Sequence, residues 1–239
     1  MKLSIIIPVY NEEQTISEIV ERVRAVDLPG VEKEIIIAND GSSDGTRDAM
    51  ARSGWSNDPR IAIHELQINV GKGAAVRLGL RYATGDIVLI QDADLELDPQ
   101  EYGRLIAPIL AGQTDVVYGS RFLKPTGRVP LRTRYGNRLL TSITNVLFGA
   151  RLTDMETAYK VFRRHVLDGI QLRCVGFDFE PELTGKLLLA GRRIIEVPIS
   201  YHPRRIDEGK KIRWTDGIDA VYTLMKVRFS RRRHVRHLR

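Results

Sequence analysis

Short apolar segments rich in Ile and Val alternate along this chain with longer segments in which apolar residues recur at helical spacing. The short segments predict strands and the longer ones predict helices. The predicted strands are 3–9, 35–38, 61–66, 87–90 and 115–118, and the clearest predicted helices are 13–26, 74–83 and 100–111. Uninterrupted β-branched runs are typical of strands buried on both faces of a sheet. The pattern therefore predicts an α/β fold, in which helices flank a Rossmann-like, mostly parallel sheet.

Polar residues cluster directly after four of the predicted strands, in segments 8–12, 39–45, 92–96 and 119–121. In doubly wound α/β folds, ligands bind at the carboxyl ends of the strands. These four segments are therefore expected to meet at one edge of the sheet and to form the functional site there.

The segment 86–96 carries the most informative chemistry. An apolar strand ends there in three carboxylates on alternate residues, Asp92, Asp94 and Glu96. Oxygen ligands suit Mg²⁺ or Mn²⁺, and such a cation on one or two carboxylates commonly also binds substrate phosphates. An exposed acidic turn would explain the same residues, but the neighbouring polar segments favour a metal site for a nucleotide-linked donor.

The segment 40–45 begins like a calcium-binding loop, but Ala51 stands where that loop needs a bidentate Glu. Two compatible roles remain open for this strand-to-helix turn. The turn caps the helix that follows, and the Asp40 carboxylate accepts hydrogen bonds from a nucleobase.

The segment 69–75 matches a phosphate-binding P-loop only in part. Gly73 replaces the metal-binding Ser or Thr, and Leu66 stands where the first Gly should be. The segment is either a simple helix start or a site where free backbone N–H groups and Lys72 reach a nucleotide base or phosphate.

Length and composition indicate one domain with a sizeable core, because the chain has 239 residues and 43% of them are hydrophobic. A single cysteine, Cys174, excludes an internal disulfide framework and fits a reducing compartment, so the cytoplasm is expected. The first apolar run ends at Pro8, which is unlike a secretory signal. No apolar stretch approaches the roughly 18 to 20 residues of a membrane-spanning helix.

The formal charge of +7 is concentrated at the carboxyl end. Residues 226–239 contain seven Lys or Arg and no acid, and their removal leaves 30 basic and 30 acidic residues. A helix with one apolar stripe precedes this basic end. It is either a surface helix on an anionic membrane or an ordinary helix packed on the sheet. The stripe comprises Ile218, Val221, Tyr222, Met225 and Phe229.

Eight different short motifs follow one another along the chain, and their order is highly specific. They lie at residues 5–13, 39–46, 69–73, 92–96, 119–121, 153–160, 177–180 and 197–201. Together they resemble the family-2 glycosyltransferases with the GT-A fold, especially enzymes that transfer mannose or glucose to a polyprenyl or dolichyl phosphate. The resemblance covers about residues 3–215. It implies a catalytic domain at 1–215, followed by an amphipathic helix and basic tail at 216–239.

The resemblance implies a nucleotide-sugar site on one side of the sheet edge. Asp92 and Asp94 would bind the metal with Glu96, although dolichyl-phosphate mannose synthases often have Gln in place of Glu96. The implied donor-binding residues are Pro8, Tyr10, Glu12, Asp40, Lys72, Asp92 and Ala93.

On the acceptor side, the resemblance implies that Arg121 holds a phosphate, helped by Arg132 or Arg134 from a predicted mobile loop at 122–134. Guanidinium groups suit phosphate oxygens. Asp154 matches an acceptor-side Asp, and with Asp94 and Arg121 it completes the expected catalytic set. The same motif departs from the family at Glu156, Ala158 and Lys160. The family further implies a helix start at Phe179 and Glu180 and a basic loop at Lys210 or Lys211.

The implied activity is inverting transfer of a hexose from GDP-mannose or UDP-glucose to a polyprenyl phosphate, using Mg²⁺ or Mn²⁺. The enzyme would be cytoplasmic and peripheral at the inner face of the membrane, where a membrane partner protein could assist it. A sugar hydroxyl acceptor is the alternative, and it would need Asp154 or Glu156 as general base. A nucleotidyltransferase would begin with a Gly-rich basic loop, which this chain lacks. Nucleic-acid binding is not expected, because charge outside the tail is balanced.

Overall fold

The computed structural model describes residues 1–124, 129–204 and 214–230 of the chain. The strands are β1 Lys2–Val9, β2 Glu32–Asp40, β3 Ile61–Leu66, β4 Ile87–Ile90, β5 Val116–Ser120, β6 Lys160–Arg163 and β7 Ile194–Pro198. The helices are α1 Ile16–Ala25, α2 Thr46–Arg52, α3 Lys72–Tyr82, α4 Tyr102–Leu110, α5 Leu131–Phe148, α6 Phe179–Leu189 and α7 Trp214–Phe229. Short 3-10 turns lie at Trp55–Asn57, Pro99–Glu101 and Arg164–Leu167.

The strands form one sheet in the order β3-β2-β1-β4-β6-β5-β7. All neighbouring strands pair in parallel except β6, which runs antiparallel to β4 and to β5. The mostly parallel sheet expected from the apolar runs is confirmed. The carboxyl ends of the other strands meet at one edge, and the amino end of β6 lies among them.

Both faces of the sheet are buried, and β1 supplies side chains to the core on each face. Ile5 and Ile7 join one core with α1 and α4, whereas Ile6 joins the other with α3 and α6. Successive side chains of a strand point to opposite faces, so an apolar strand without polar alternation requires this arrangement.

A third, smaller core joins the carboxyl-terminal helix to the rest. Leu224 of α7 is fully buried with Leu152 and Met155, and α5 contributes its inner face to the same core. The helix therefore packs on the domain, but through Ala220 and Leu224, whereas Ile218, Tyr222, Met225 and Phe229 of the predicted stripe are exposed. In the part of the chain described, no helix combines the length and hydropathy needed to span a bilayer.

The predicted loop at 122–134 is partly wrong. Residues 131–134 form the first turn of α5, which continues to Phe148. Pro130 stands directly before the first helical residue, where its fixed φ is compatible with the start of a helix. Residues 125–128 of that prediction, like Lys210, Lys211 and the basic residues after Ser230, lie outside the described residues.

Candidate active site

The acidic segment after β4 turns sharply at Leu95. Leu95 has φ of 62°, in the left-handed region that a branched residue rarely adopts, and the Glu96 N–H donates to Asp94 Oδ1 at 3.1 Å. Because the chain no longer runs as a strand here, alternate residues do not share a face. The turn directs Asp94 and Glu96 to different partners.

Lys72 connects Asp92 to Glu180. Its ammonium lies 2.8 Å from a carboxylate oxygen of Asp92 and 2.8 Å from one of Glu180. Burial alone would lower the pKa of Lys72, but these two carboxylates raise it above its usual range. Lys72, predicted to reach a base or phosphate, is thus an internal cation that orients Asp92. Glu180 and Phe179 begin α6, which confirms the expected helix start.

Asp94 is an acid of this segment whose charge is balanced only in part, by the nearby Arg204. Burial, then Asp92 and then Glu96, raise the pKa of Asp94 to about 7. It forms no ion pair with any residue that the structure describes. A carboxylate held among other carboxylates in this way favours a cation beside it.

Glu96 and Glu12 are held by Arg204, a residue that the sequence did not single out. The Arg204 guanidinium donates to both carboxylate oxygens of Glu12, at 3.2 and 2.7 Å, and to the backbone oxygen of Asp94 at 2.7 Å. The Arg204 backbone N–H donates to Glu96 Oε1 at 2.8 Å. Arg204 therefore joins the segments after β1 and β4. Its one sequence signal was its place three residues beyond the motif ending at Tyr201.

The three predicted metal ligands lie near one another but do not form one ligand set. Among residues 1–124, 129–204 and 214–230, no three His, Cys, Asp or Glu side chains form a group that could hold a metal ion. The physical reason is that Asp92 pairs with Lys72 and Glu96 bonds the Arg204 backbone. Asp94, with Asp92 beside it, still fits a divalent cation that completes its shell with substrate phosphates.

Asp40 anchors the loop before α3. Its carboxylate accepts hydrogen bonds from the backbone N–H groups of Val70 and Gly71, at 2.9 and 2.7 Å. The capping role predicted for the turn at 40–45 is confirmed, since the Thr46 N–H at the start of α2 donates to Asp44 at 3.0 Å. A nucleobase contact of Asp40 stays a prediction.

The loop at 69–73 offers fewer backbone donors than predicted. The N–H groups of Val70 and Gly71 donate to Asp40, and the Gly73 N–H donates to the Gly176 carbonyl at 3.0 Å. Gly71 has φ of 125°, and a Cβ there would lie 2.4 Å from the Val175 carbonyl oxygen. The glycines thus permit close packing on the segment before α6, and this need explains them without a phosphate.

The other predicted donor residues lie at the same edge. Pro8 is the last but one residue of β1, whose pairing with β2 ends at Val9, and half-buried Tyr10 follows that strand. The Ala93 side chain is packed in the main core, so only its backbone is available to a donor. Their contacts with a nucleotide stay predictions.

Arg121 and Asp154 form a buried ion pair on the other side of the edge. The Arg121 Nε and Nη2 each lie 2.7 Å from an Asp154 oxygen, and the Arg121 backbone N–H donates to the same carboxylate. Glu196 of β7 accepts hydrogen bonds from the backbone N–H groups of Thr153 and Asp154. Asp154 is fully buried, and both of its carboxylate oxygens accept hydrogen bonds from Arg121. It therefore positions Arg121 and cannot serve as a general base.

Glu156 and Lys160 lie between these two ion pairs. Burial raises the pKa of Glu156, and Glu180 raises it further, while Lys160 and Arg121 act in the opposite direction. Burial lowers the pKa of Lys160, whose ammonium donates to the Met155 carbonyl at 2.7 Å and lies 3.9 Å from the centre of the Tyr118 ring. Glu156 Oε1 is buried without a hydrogen-bond partner among the described residues.

Two predicted acceptor residues are on a helix instead of in a loop. Arg132 and Arg134 belong to the first turn of α5, and the Arg134 side chain is exposed. The structure does not bring Arg134 into the buried cluster around Arg121. Its phosphate contact stays a prediction.

Comparison with a family model shows the family. The family model described as "Glycosyl transferase family 2" matches residues 4–170. An undecaprenyl-phosphate 4-deoxy-4-formamido-L-arabinose transferase from Enterobacter sp. (strain 638) is 31% identical over 211 residues, which are 87% of this chain and 62% of that protein. The chain therefore spans about three fifths of the length of this curated relative.

Solved structures show the same fold. Glucosyl-3-phosphoglycerate synthase from Mycobacterium tuberculosis, in complex with Mn²⁺, UDP and glucosyl-3-phosphoglycerate, superposes with a TM-score of 0.72 at 20% identity, covering 95% of this chain and 79% of that one. The same enzyme with Mn²⁺ and UDP-glucose gives a TM-score of 0.71 at 21% identity, covering 95% and 78%. With this fold and the matched family model, the chain belongs to glycosyl transferase family 2 and has the GT-A fold of its glycosyltransferases.

Proposed function

We propose that this enzyme transfers a hexose, mannose or glucose, from a nucleoside-diphosphate sugar to a polyprenyl phosphate, with inversion at the anomeric carbon. One observation carries the proposal. Asp94, an acid that forms no ion pair among the described residues, and Arg121, a buried cation, follow β4 and β5, whose carboxyl ends lie at one edge of the sheet. The first suits a metal-bound diphosphate and the second an anionic acceptor. The 31% identical relative is named for an undecaprenyl-phosphate substrate, which supports the acceptor class.

The donor end would use Asp92 and Asp94. A divalent cation, Mg²⁺ or Mn²⁺, would be held by these two carboxylates and would neutralise charge that develops on the departing diphosphate. Lys72 forms an ion pair with Asp92 and holds it in place, and Arg204 fixes the turn that carries Asp94. Mn²⁺ in the M. tuberculosis structures supports this assignment.

The acceptor end would use Arg121. An oxygen of the acceptor phosphate forms a bond to the anomeric carbon, while the bond from that carbon to the diphosphate breaks and its electron pair leaves with the nucleotide. A phosphate is already ionised at neutral pH, so no general base is needed. A reaction without a general base agrees with the structure, in which the Asp154 carboxylate is bonded to Arg121.

The direct test is transfer of radiolabelled sugar in the presence of Mn²⁺. GDP-mannose and UDP-glucose would each be offered with a polyprenyl phosphate in detergent and, separately, with the corresponding free polyprenol. We expect label in the lipid phosphate only. Transfer to the free alcohol, or none with either donor while both bind in a thermal-shift assay, would contradict the proposed acceptor.

A second candidate acceptor is a sugar hydroxyl, and one observation favours it. Glu156 Oε1 is buried with no partner among the described residues, although buried carboxylate oxygens are normally hydrogen-bonded. With Asp154 engaged by Arg121, Glu156 is the carboxylate left to accept a hydroxyl proton. Its raised pKa also suits a proton acceptor near neutral pH.

Glu156→Gln separates the two acceptors. With a phosphate acceptor we expect kcat to fall less than about tenfold, whereas the loss of a general base would reduce it by about 100-fold or more. The measurement is steady-state transfer to polyprenyl phosphate and to a panel of sugar acceptors. Asp178→Asn, which alters an acid at the start of α6, is the matched control. A 100-fold loss in Glu156→Gln with unchanged nucleotide affinity would favour the hydroxyl acceptor.

A further inference from the structure

Two neighbouring helices expose apolar stripes that the fold does not cover. Of the fifteen large hydrophobic side chains exposed among the described residues, eight lie on α5 and α7. On α5 they are Leu131, Tyr135, Leu139 and Val146, and on α7 they are Ile218, Tyr222, Met225 and Phe229. Scattered exposed apolar residues are normal, but concentrated ones mark interaction sites.

On each helix these side chains share one narrow face. At about 100° per residue, those of α5 fall within an arc of about 80° and those of α7 within about 60°. The opposite faces are used for packing, since Leu224 of α7 and Leu140 of α5 belong to the same small core. Both helices are therefore fixed to the domain with their apolar stripes outward.

Basic residues border both stripes. Arg134 and Arg138 are exposed on α5, which contains no acid along its 18 residues. Lys226 and Arg228 are exposed on opposite sides of the α7 stripe, and the sequence after them adds five more Arg and no acid. The two acids of α7, Asp216 and Asp219, lie near its start.

We propose that the exposed stripes of α5 and α7 form one docking surface for an anionic lipid bilayer. Apolar side chains bordered by Lys and Arg match the boundary between acyl chains and anionic headgroups. A second copy of the chain would present the same basic border to this surface and would be repelled by it. The proposal rests on the proposed function, because a polyprenyl-phosphate acceptor is held in such a bilayer.

The surface is linked to the acceptor side of the site. The Thr141 hydroxyl of α5 accepts a hydrogen bond from the Met155 N–H at 3.0 Å, and Asn145 makes two hydrogen bonds with the Leu152 backbone. The helix that would lie on lipid thus directly supports the segment carrying Asp154. Docking there would bring an acceptor headgroup to the Arg121 side of the sheet edge.

The test is co-sedimentation of the full 239-residue chain with phosphatidylcholine vesicles, with and without about 30% phosphatidylglycerol. Leu139→Asn on α5 and Tyr222→Asn on α7 are expected to reduce the partition coefficient by about tenfold each, as the loss of one buried apolar side chain implies. Leu110→Asn at the end of α4 is the matched control, because Leu110 is also an exposed helical leucine. Arg138→Gln should weaken binding about fivefold, and only to the anionic vesicles.

Equal binding of wild type and both stripe variants would overturn the docking surface. So would a Leu139→Asn protein that changes from dimer to monomer in size-exclusion chromatography, since the stripe would then be an interface between copies. Transfer to a short-chain, water-soluble prenyl phosphate distinguishes the two proposals. If wild type binds vesicles through the stripes but does not glycosylate that acceptor, the proposed function fails and the docking surface stands.

Discussion

Replacing Asp94 by Asn is expected to reduce sugar transfer about a thousandfold, equivalent to about 4 kcal/mol of transition-state stabilisation. Asn keeps the side-chain volume and can still accept the hydrogen bond from the Glu96 N–H, so the turn at Leu95 is preserved. The negative charge that would hold a divalent cation against the diphosphate is lost. The measurement is kcat with saturating donor in Mn²⁺, together with Mn²⁺ affinity by calorimetry.

The same variant is expected to be more stable than wild type when metal is absent. The pKa of Asp94 in the folded protein is raised to about 7, so its contribution to stability is present at low pH and is lost as the pH rises through that value. In EDTA, Asp94→Asn should therefore gain about 1–2 kcal/mol over wild type at pH 8 and little at pH 4, after allowance for its partial exposure.

Asp48→Asn, on the exposed face of α2, is the control for a change of charge alone. A variant that retained full activity in EDTA would contradict the metal role of Asp94. A variant that was inactive but showed the same pH dependence of unfolding as wild type would contradict the electrostatic account of its position.

Asp154→Asn is expected to lower the free energy of unfolding by about 3–5 kcal/mol, because it leaves Arg121 as a buried, unbalanced cation. Two 2.7 Å hydrogen bonds to a fully buried carboxylate depend on that charge. For a protein of this size the melting temperature should fall by about 10 °C or more. Urea unfolding followed by circular dichroism measures the effect.

The exposed pair of Arg22 and Glu18 provides the control. Arg22 lies 2.5 Å from Glu18, and the two side chains are 46% and 52% exposed, so Arg22→Met should cost less than about 1 kcal/mol. The double variant Arg121→Met with Asp154→Leu should recover much of the stability lost in Asp154→Asn while remaining inactive. Equal stability of wild type and Asp154→Asn would show that the pair is not buried as described.

The parallel half of the sheet could be predicted because its strands are continuous β-branched runs. β1, β3 and β4 match the predicted runs within one residue, and the predicted β2 lies inside the observed strand. β6 and β7 could not be found in this way, since β6 has only four residues and contains Lys160 and Arg163. Their place depends on long-range pairing that local patterns do not encode.

The candidate site was predictable in its residue types but not in its partnerships. Asp92, Asp94 and Arg121 follow strand ends, and the sheet rule places such residues at one edge. No local signal shows that Lys72 pairs with Asp92 and Glu180, or that Arg204 binds Glu12 across 192 positions. Both are long side chains from distant segments, and only the folded chain shows which carboxylate they neutralise.

The place of β6 in the sheet sets the distance between the two ends of the proposed site. Asp92 follows β4 and Arg121 follows β5, and β6 lies between them in the sheet. Two strand spacings separate their ends by about 10 Å, comparable to a hexose flanked by two phosphates. Because β6 runs the other way, the segment that enters it, which carries Glu156, comes to the same sheet edge as the ends of β4 and β5. Changes in that segment should therefore alter which sugar fits while leaving the nucleotide and acceptor ends intact.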